Sequence, residues 1–548
     1  MTFEELLEDA GGFGLYQKLL AFVFLLGAMS TAGLNYWTQI FILLEPEHNC
    51  SLPDANNSLD VINRDSCHLY IRPNDTNLNE TVKVRCNSGW DYDYNELFPT
   101  MTSEQNWVCE ENWRVYLTHM AFWIGSVVGF FISGIISDRF GRRRTIIILE
   151  LVSIVSNVLS IFMTNHLTFS AARFLTGLTV LTSSTLAFLL TIEYTGVSQR
   201  TMIGMLQGVG WTITAAVSPW ILYYVRNWRK MLFICSVPNV LMIFMLWWVP
   251  ESASWLLTRG KKDEAIKILN RISAVNKRKL DKDHFKRILS RKNSHEKKEE
   301  EDSKEIFSLI IKVIRTKYLR KNLFLLLILW FFVSLCYNGN TLETINLHFN
   351  VYLAFSIGAI VELAANVFFF VTAEKFGRRW ANFISNIVGT VAAISTLALP
   401  KEQGLLEFIC VMVLRFAYAW SYDVTLQYGT ELLPTAIRGR GVAVQLMIGD
   451  IGNCISPCIV YLNYFNAHYP LLVFGTLSIG SAIIALVLPE TADQPLPQTI
   501  EDGSKFGIGQ PFFLCPFLEK RKKKKMESLE WREMKTKTIS TTERSLHM

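Results

Sequence analysis

The sequence predicts an all-α membrane protein whose twelve transmembrane helices form two pseudo-symmetric six-helix halves. Three observations carry that prediction. Apolar residues come in long blocks almost free of charge, basic residues crowd one alternate set of loops, and three motif pairs recur at nearly one offset.

Half of the 548 residues are apolar and 13% are aromatic. The blocks run about 20 residues, enough for a helix to cross a hydrocarbon core of ~30 Å. They fall at about 19–44, 114–136, 145–163, 168–192, 201–225, 231–249, 323–342, 351–373, 380–399, 404–428, 441–463 and 470–488. With no water in the bilayer to satisfy backbone N–H and C=O groups, such blocks must be helices. The start, MTFEELLEDAGGFG, is acidic and lacks a basic n-region, so the first block is expected to remain as a signal anchor.

Orientation follows from lysine and arginine. Arg139, Arg142, Arg143 and Arg144 follow the second block, Lys375, Arg378 and Arg379 the eighth, and Arg438 and Arg440 the tenth. The 259–321 segment is also rich in basic residues, and all these loops share one side. That side is expected to be cytoplasmic and, with an even number of spans, to hold both termini. The expected division is a cytoplasmic N-terminus (1–15), a first half (16–250), a linker (251–322), a second half (323–488) and a basic tail (489–548). The tail run Lys520 to Lys525 reads either as a contact for the anionic inner leaflet or as an ordinary disordered tail.

The polar segment 45–113, on the opposite side, carries Cys50, Cys67, Cys86 and Cys109. It also carries glycosylation sequons at Asn49, Asn56, Asn74 and Asn79. Even cysteine count and clustered sequons predict a glycosylated, disulfide-bonded extracellular domain whose pairing is open among three possibilities. Cys235, Cys336, Cys410, Cys454 and Cys458 lie in apolar blocks, as small packing residues do.

The duplication sets the architecture. Gly134, Asp138, Arg139, Phe140, Gly141, Arg142 and Arg143 follow the second block; Lys375, Phe376, Gly377, Arg378 and Arg379 follow the eighth, with the phenylalanines 236 residues apart. Glu193 precedes Arg200 by seven residues, and Glu431 and Arg438 repeat that spacing 238 residues later. Pro250-Glu251-Ser252 and Pro489-Glu490-Thr491 end the two halves 239 residues apart. The arginines can meet Glu193 or Glu251, and Asp138 can pair with an arginine or cap a helix.

The Gly134-to-Arg143 pattern resembles the signature of the major facilitator superfamily. With the cysteine- and sequon-rich loop, the Pro250–Leu257 segment and Glu431-Leu432-Leu433-Pro434-Thr435, the chain resembles the mammalian organic anion and organic cation transporter family (solute carrier family 22 type) along almost its whole length. Met1, Phe3, Leu6, Leu7, Gly11, Gly12, Gly14 and Gln17 at the start, and the Pro489–Asp502 segment, are similar to its organic anion branch. Against these, Asp450 stands where that branch commonly has arginine, and Arg415 and Asp423 are more similar to the cation branch. Ser254 replaces a usual arginine, Asn338 and Asn340 an aromatic and a leucine, and Ala364 a proline.

The resemblance implies a plasma-membrane transporter working by alternating access, with exchange or facilitated diffusion, no ATP and no cofactor. Small amphipathic organic anions are the first expectation, with a counter-transported organic anion as a possible exchange partner. Organic cations or carnitine-like zwitterions come second, and sugar or proton-coupled transport third; a non-transporting scaffold is the reading from another class. The charged motifs would act as gates: Asp138, Arg139, Arg142, Glu193, Arg200 and Glu251 in one half, and Arg378, Glu431, Arg438 and Glu490 in the other.

An ionisable residue inside a span is a functional candidate by default, which singles out Glu362, Arg415, Asp423 and Asp450. Glu362 can face a cavity or pair with Arg415, and Arg415 can instead neutralise Asp450. Glu150 and Arg173, nearer span ends, read as a structural pair or as helix anchors. Trp211, Tyr223, Trp330, Tyr337 and Tyr422 are candidate walls of the binding site, and Asn35 a polar handle matching the anion branch. No HExxH, P-loop, nucleophile elbow or metal-spaced His/Cys cluster occurs, so neither an enzyme nor a metal site is expected, and nothing points to nucleic acid.

Overall fold

The computed structural model describes residues 7, 11–52, 60–72, 82–196, 199–278, 312–313, 315–347, 349–399, 404–435, 437–492 and 494–511. Twelve long helices dominate them. The first six are α1 (Leu15–Phe41), α2 (Trp113–Phe140), α3 (Arg142–Phe162), α4 (His166–Glu193), α5 (Arg200–Val225) and α6 (Trp228–Leu246). The second six are α7 (Lys317–Glu343), α8 (Val351–Phe376), α9 (Arg378–Ala398), α10 (Gly404–Leu432), α11 (Arg438–Val460) and α12 (Tyr469–Val487). Eleven of them are long and apolar enough to cross a membrane. The other, α5, is 26 residues long, its apolar content diluted by Gln207, Thr212, Thr214 and Ser218.

Tight helix pairs use glycine. A Cβ on Gly125 or Gly129 of α2 would collide with the Phe174 or Leu178 carbonyl of α4, and one on Gly177 with the Phe122 carbonyl. Small residues let backbones approach where lipid supplies no hydrophobic drive. The α2–α3 and α8–α9 turns repeat one device. Gly141 and Gly377 hold φ of +98° and +86°, a region open to glycine. Glu251 accepts from the Arg143 N–H at 3.1 Å, and Glu490 from the Arg378 and Arg379 N–H groups at 2.9 and 3.1 Å. A carboxylate thus caps each following helix, satisfying otherwise orphan donors.

The 45–113 segment departs from all-α. It holds β1 (His48–Cys50), β2 (Asp60–Arg64), β3 (His68–Arg72), β4 (Val82–Arg85) and β5 (Trp90–Tyr92), as a β1–β5 pair and an antiparallel β2–β3–β4 sheet. Disulfides join Cys50 to Cys86 and Cys67 to Cys109, resolving the pairing. In the β2–β3 turn, the Asp65 carboxylate accepts from the Cys67 N–H at 2.9 Å, which holds its pKa below the usual carboxylate value. Asn49 is exposed on β1; Asn56, Asn74 and Asn79 lie outside the described residues, as does the Lys520–Lys525 run. After α6, short helices span Ala253–Thr258 and Lys262–Val275, and the latter buries Ala265, Leu269 and Ile272.

Helices α1–α6 and α7–α12 pack as two bundles that meet along α2–α11 and α5–α8. Contacts across this boundary lie from mid-helix toward the β-domain. They include the Tyr116 and Tyr461 rings at 5.3 Å, Met120 and Cys458 sulfurs at 3.1 Å, Tyr223 and Tyr352 rings at 5.2 Å, and Trp220 Nε1 donating to Ser356 Oγ at 2.9 Å. The same faces, followed toward the arginine-rich turns, come apart. Gly134 lies 18 residues from Tyr116 and Gly439 lies 11 from Asp450, each a return to one helix face at 100° per residue. Among the described residues, a Cβ on either would meet no heavy atom within 4 Å beyond its own helix backbone. On α5 and α8, Met205, Val209, Val367 and Phe370 occupy the corresponding faces and are exposed. The two halves are closed on the β-domain side and splayed on the arginine-rich side.

Candidate functional site

Mid-span, where the halves begin to part, α7, α8, α10 and α11 bring together four of the expected ionisable residues. Arg415 Nη2 lies 2.7 Å from Glu362 Oε1, with the side chains 1% and 3% exposed. Arg415 also donates to Thr341 Oγ1 at 3.2 Å and stands 5.9 Å over the Trp37 ring. Glu362 accepts a second bond from Tyr337 Oη at 2.9 Å. Gly358 makes room, since a Cβ there would sit 2.9 Å from Arg415 Nε. Of the two partners open to Arg415 from sequence, Glu362 is the one it takes, because α8 and α10 are packed neighbours.

The remaining carboxylates meet neutral donors. The Asn366 amide donates to Asp423 Oδ2 at 2.7 Å, in the orientation that satisfies both its ends. Asp450 accepts from Ser126 Oγ of α2 at 2.8 Å and from Asn453 Nδ2 at 3.3 Å. Among the described residues, neither Asp423 nor Asp450 forms an ion pair.

Asp450 belongs to a polar chain across the two halves. Tyr36 Oη of α1 donates to Asn338 Oδ1 at 2.7 Å, and Asn338 Nδ2 donates to Ser456 Oγ at 2.6 Å and to the Asn453 carbonyl at 3.3 Å. An aromatic at position 338 could not make both bonds. Ring contacts surround this chain: Trp330 and Tyr337 lie 4.6 and 5.0 Å from Tyr422, and Tyr36 lies 5.3 Å from Trp211. Trp330 Nε1 and Ser334 Oγ are buried with no hydrogen-bond partner among the described residues. Tyr36, Trp37, Ser126, Thr341 and Asn366 were missed from sequence; only Asn366, one turn after Glu362, carried a signal.

Two expected site residues lie elsewhere. Asn35 bonds to Asn157 at 2.7 Å and Asn239 at 3.3 Å, inside the first bundle. Its amide is engaged there, apart from the four ionisable residues. Tyr223 packs on Trp220, Tyr224 and Tyr352 near the β-domain end of α5. Nor do Glu150 and Arg173 pair: Glu150 accepts from Ser183 at 2.5 Å, and Arg173 bonds Asn157 at 3.1 Å and Ser160.

The charged motifs pair inside each half. Arg142 reaches Glu193 at 3.3 Å and Asp138 at 3.2 Å, and Arg378 reaches Glu431 at 2.7 Å. Arg142 and Arg378 donate equivalently to the Ser137 and Ala373 carbonyls, both at 3.1 Å. The Glu431–Arg438 spacing does not produce a pair, since Arg438 donates to the Leu433 carbonyl at 3.2 Å. Arg139 lies over the Phe140 ring at 5.5 Å, and Arg200 opens α5.

The chain is similar to several curated transporters. It is 28% identical to organic cation transporter 1 of Caenorhabditis elegans, over 92% of this chain and 89% of that protein. It is 28% identical to human organic cation/carnitine transporter 2 (91% and 93% covered) and 29% identical to mouse solute carrier family 22 member 7 (92% and 98%). Among solved structures, it resembles the major facilitator superfamily proton:xylose symporter XylE bound to 6-bromo-6-deoxy-D-glucose, with TM-score 0.57, 18% identity and 88% and 98% coverage. The inward open XylE from E. coli gives TM-score 0.53 at 17% identity, with 89% and 98% covered. These relatives are transporters, not enzymes, and the fold is that of the major facilitator superfamily. Residues 85–501 match the sugar (and other) transporter family, so the chain, a multi-pass membrane protein and secondary transporter, belongs to that family.

Proposed function

We propose that this protein carries organic cations or carnitine-like zwitterions across the plasma membrane by alternating access. One observation carries the reading: the guanidinium of the central cluster is spent on Glu362, while Asp423 and Asp450 have only neutral donors. A carboxylate at mid-membrane is costly, and a cationic headgroup arriving from the splayed side offsets that cost. The ring-lined surroundings of Trp211, Trp330, Tyr337 and Tyr422 suit the apolar part of such a substrate and offer cation–π attraction. The names of two relatives, organic cation transporter 1 and organic cation/carnitine transporter 2, support it.

In this reading the arginine-rich face is cytoplasmic with both termini, the β-domain is extracellular, and Asn49, Asn56, Asn74 and Asn79 carry glycans. The paired motifs brace each half as a rigid body that rocks about the central site. Organic anion transport is the second reading, favoured by the two terminal segments similar to the anion branch.

Radiolabelled uptake in expressing cells tests both. Tetraethylammonium and carnitine are compared with prostaglandins, steroid sulfates, urate and aminohippurate. Uptake of the first pair, lost in Asp450→Asn, is the expected result. Uptake confined to the anions overturns it.

A further inference from the structure

A second charged site lies outside the central cluster, where α3 starts and the post-α6 helix Lys262–Val275 folds back against it. A groove of about 370 Å³ is lined there by Arg143, Arg144, Lys261, Lys267 and Arg271. Two acids also line it, and both are engaged: Glu251 caps α3 through the Arg143 N–H, and Glu264 pairs with Lys261 at 3.5 Å. Glu264, Lys267, Ile268 and Arg271 follow helical spacing, while Ala265, Leu269 and Ile272 bury the opposite face. The helix is therefore held in place by its apolar side and presents its cations to the groove.

What reaches the groove from the membrane is apolar. Phe233, Val237, Leu241, Phe244 and Trp248 form one exposed strip along α6. It ends at Trp247 and Trp248, 73% and 70% exposed, and Trp247 itself lines the groove. Exposed tryptophans at a helix end mark the membrane–water interface. A cationic groove at headgroup level, continuous with an acyl-length apolar strip, fits an amphiphile with an anionic head.

We propose that this groove binds the phosphate-bearing headgroup of an anionic lipid in the leaflet on the arginine-rich side, its acyl chain lying along α6. The bound lipid would tie α3 to the linker helix and so stiffen the first half.

The full-length protein, reconstituted in phosphatidylcholine nanodiscs doped with a fluorescent phosphatidylinositol bisphosphate, provides the test. Lys267→Gln/Arg271→Gln is expected to lower lipid affinity about thirtyfold, from two lost surface charges. Arg144→Gln on the facing wall is expected to act in the same direction, and Lys267→Arg/Arg271→Lys to retain binding. Equal affinity in wild type and the double glutamine variant overturns the site. Displacement by inorganic phosphate as effective as displacement by unlabelled lipid overturns the lipid as occupant and makes this a soluble-anion site.

Discussion

Glu362→Gln isolates the buried charge pair at the centre of the second half. The substitution keeps an acceptor for Tyr337 but removes the charge facing Arg415, whose remaining neighbours are Thr341 at 3.2 Å and the Trp37 ring at 5.9 Å. Breaking a buried pair by neutralising one partner costs about 3–5 kcal/mol, because the other charge stays buried. With unfolding entropy near ~2 cal/mol/K per residue, about 3 kcal/mol shifts the Tm of a chain this long by roughly 3 °C. Replacing both partners by apolar groups removes the stranded charge, so Glu362→Leu with Arg415→Met is expected to recover to within about 1 °C. Thermal unfolding of purified protein in one detergent measures all three variants. A single variant with wild-type Tm, or a double variant less stable than the single, refutes the account of this pair.

Other expectations follow from the same geometry. Asp450→Asn removes a charge-assisted contact of about 1.5–3 kcal/mol, so KM for cations is expected to rise roughly tenfold to a hundredfold; an unchanged profile at normal surface expression counts against the site. Asn338→Leu deletes the Tyr36 bond between the halves, about 1 kcal/mol in a membrane. It is expected to raise labelling of Cys458 by an impermeant maleimide on intact cells several-fold, and equal labelling rates would dismiss the latch. Cys67→Ser opens the Cys67–Cys109 crosslink, whose loss costs about 2–5 kcal/mol, and is expected to reduce mature protein at the surface, read by biotinylation. Arg142→Gln and Arg378→Gln sit at matched positions, so both are expected to slow turnover with little change in KM; a large change in KM without a rate effect would place them in binding instead.

The helices were legible because a bilayer leaves few choices: a charge-free block of that length must be a helix. The duplication was legible because its residues are unusual and evenly offset; it singled out Glu251 and Glu490 as partners of the arginine turns, but not that they cap the backbone N–H groups there. Pairings between distant helices were not. Ser126 lies 324 residues from Asp450 and carries no charge to advertise the contact. Asn35 read as a polar handle because it matches a position of the anion branch, yet Asn157, Asn239 and Arg173 form a network around it that only helix packing reveals. The domain at 45–113 was announced by its cysteines and sequons, but its strands escaped notice because they run only three to five residues, too short for alternation to show.

The placement of the arginine pairs inside each half has a consequence for how the molecule responds to its surroundings. Arg142–Glu193 and Arg378–Glu431 each tie helices of one bundle, whereas the contacts seen between bundles are rings, sulfurs, hydroxyls and amides, with one carboxylate accepting from a hydroxyl (Asp450 from Ser126) and one guanidinium over a ring (Arg415 on Trp37). Among the described residues none of these contacts between bundles is an ion pair, so the proposed rocking has none of them to break. The balance between its two states is expected to be almost indifferent to ionic strength, since salt screens charges and leaves neutral contacts alone. Ring size at Tyr116, Tyr352 and Tyr461 becomes a means of adjusting it: trimming these side chains is expected to loosen the closure on the β-domain side, whereas added salt is not.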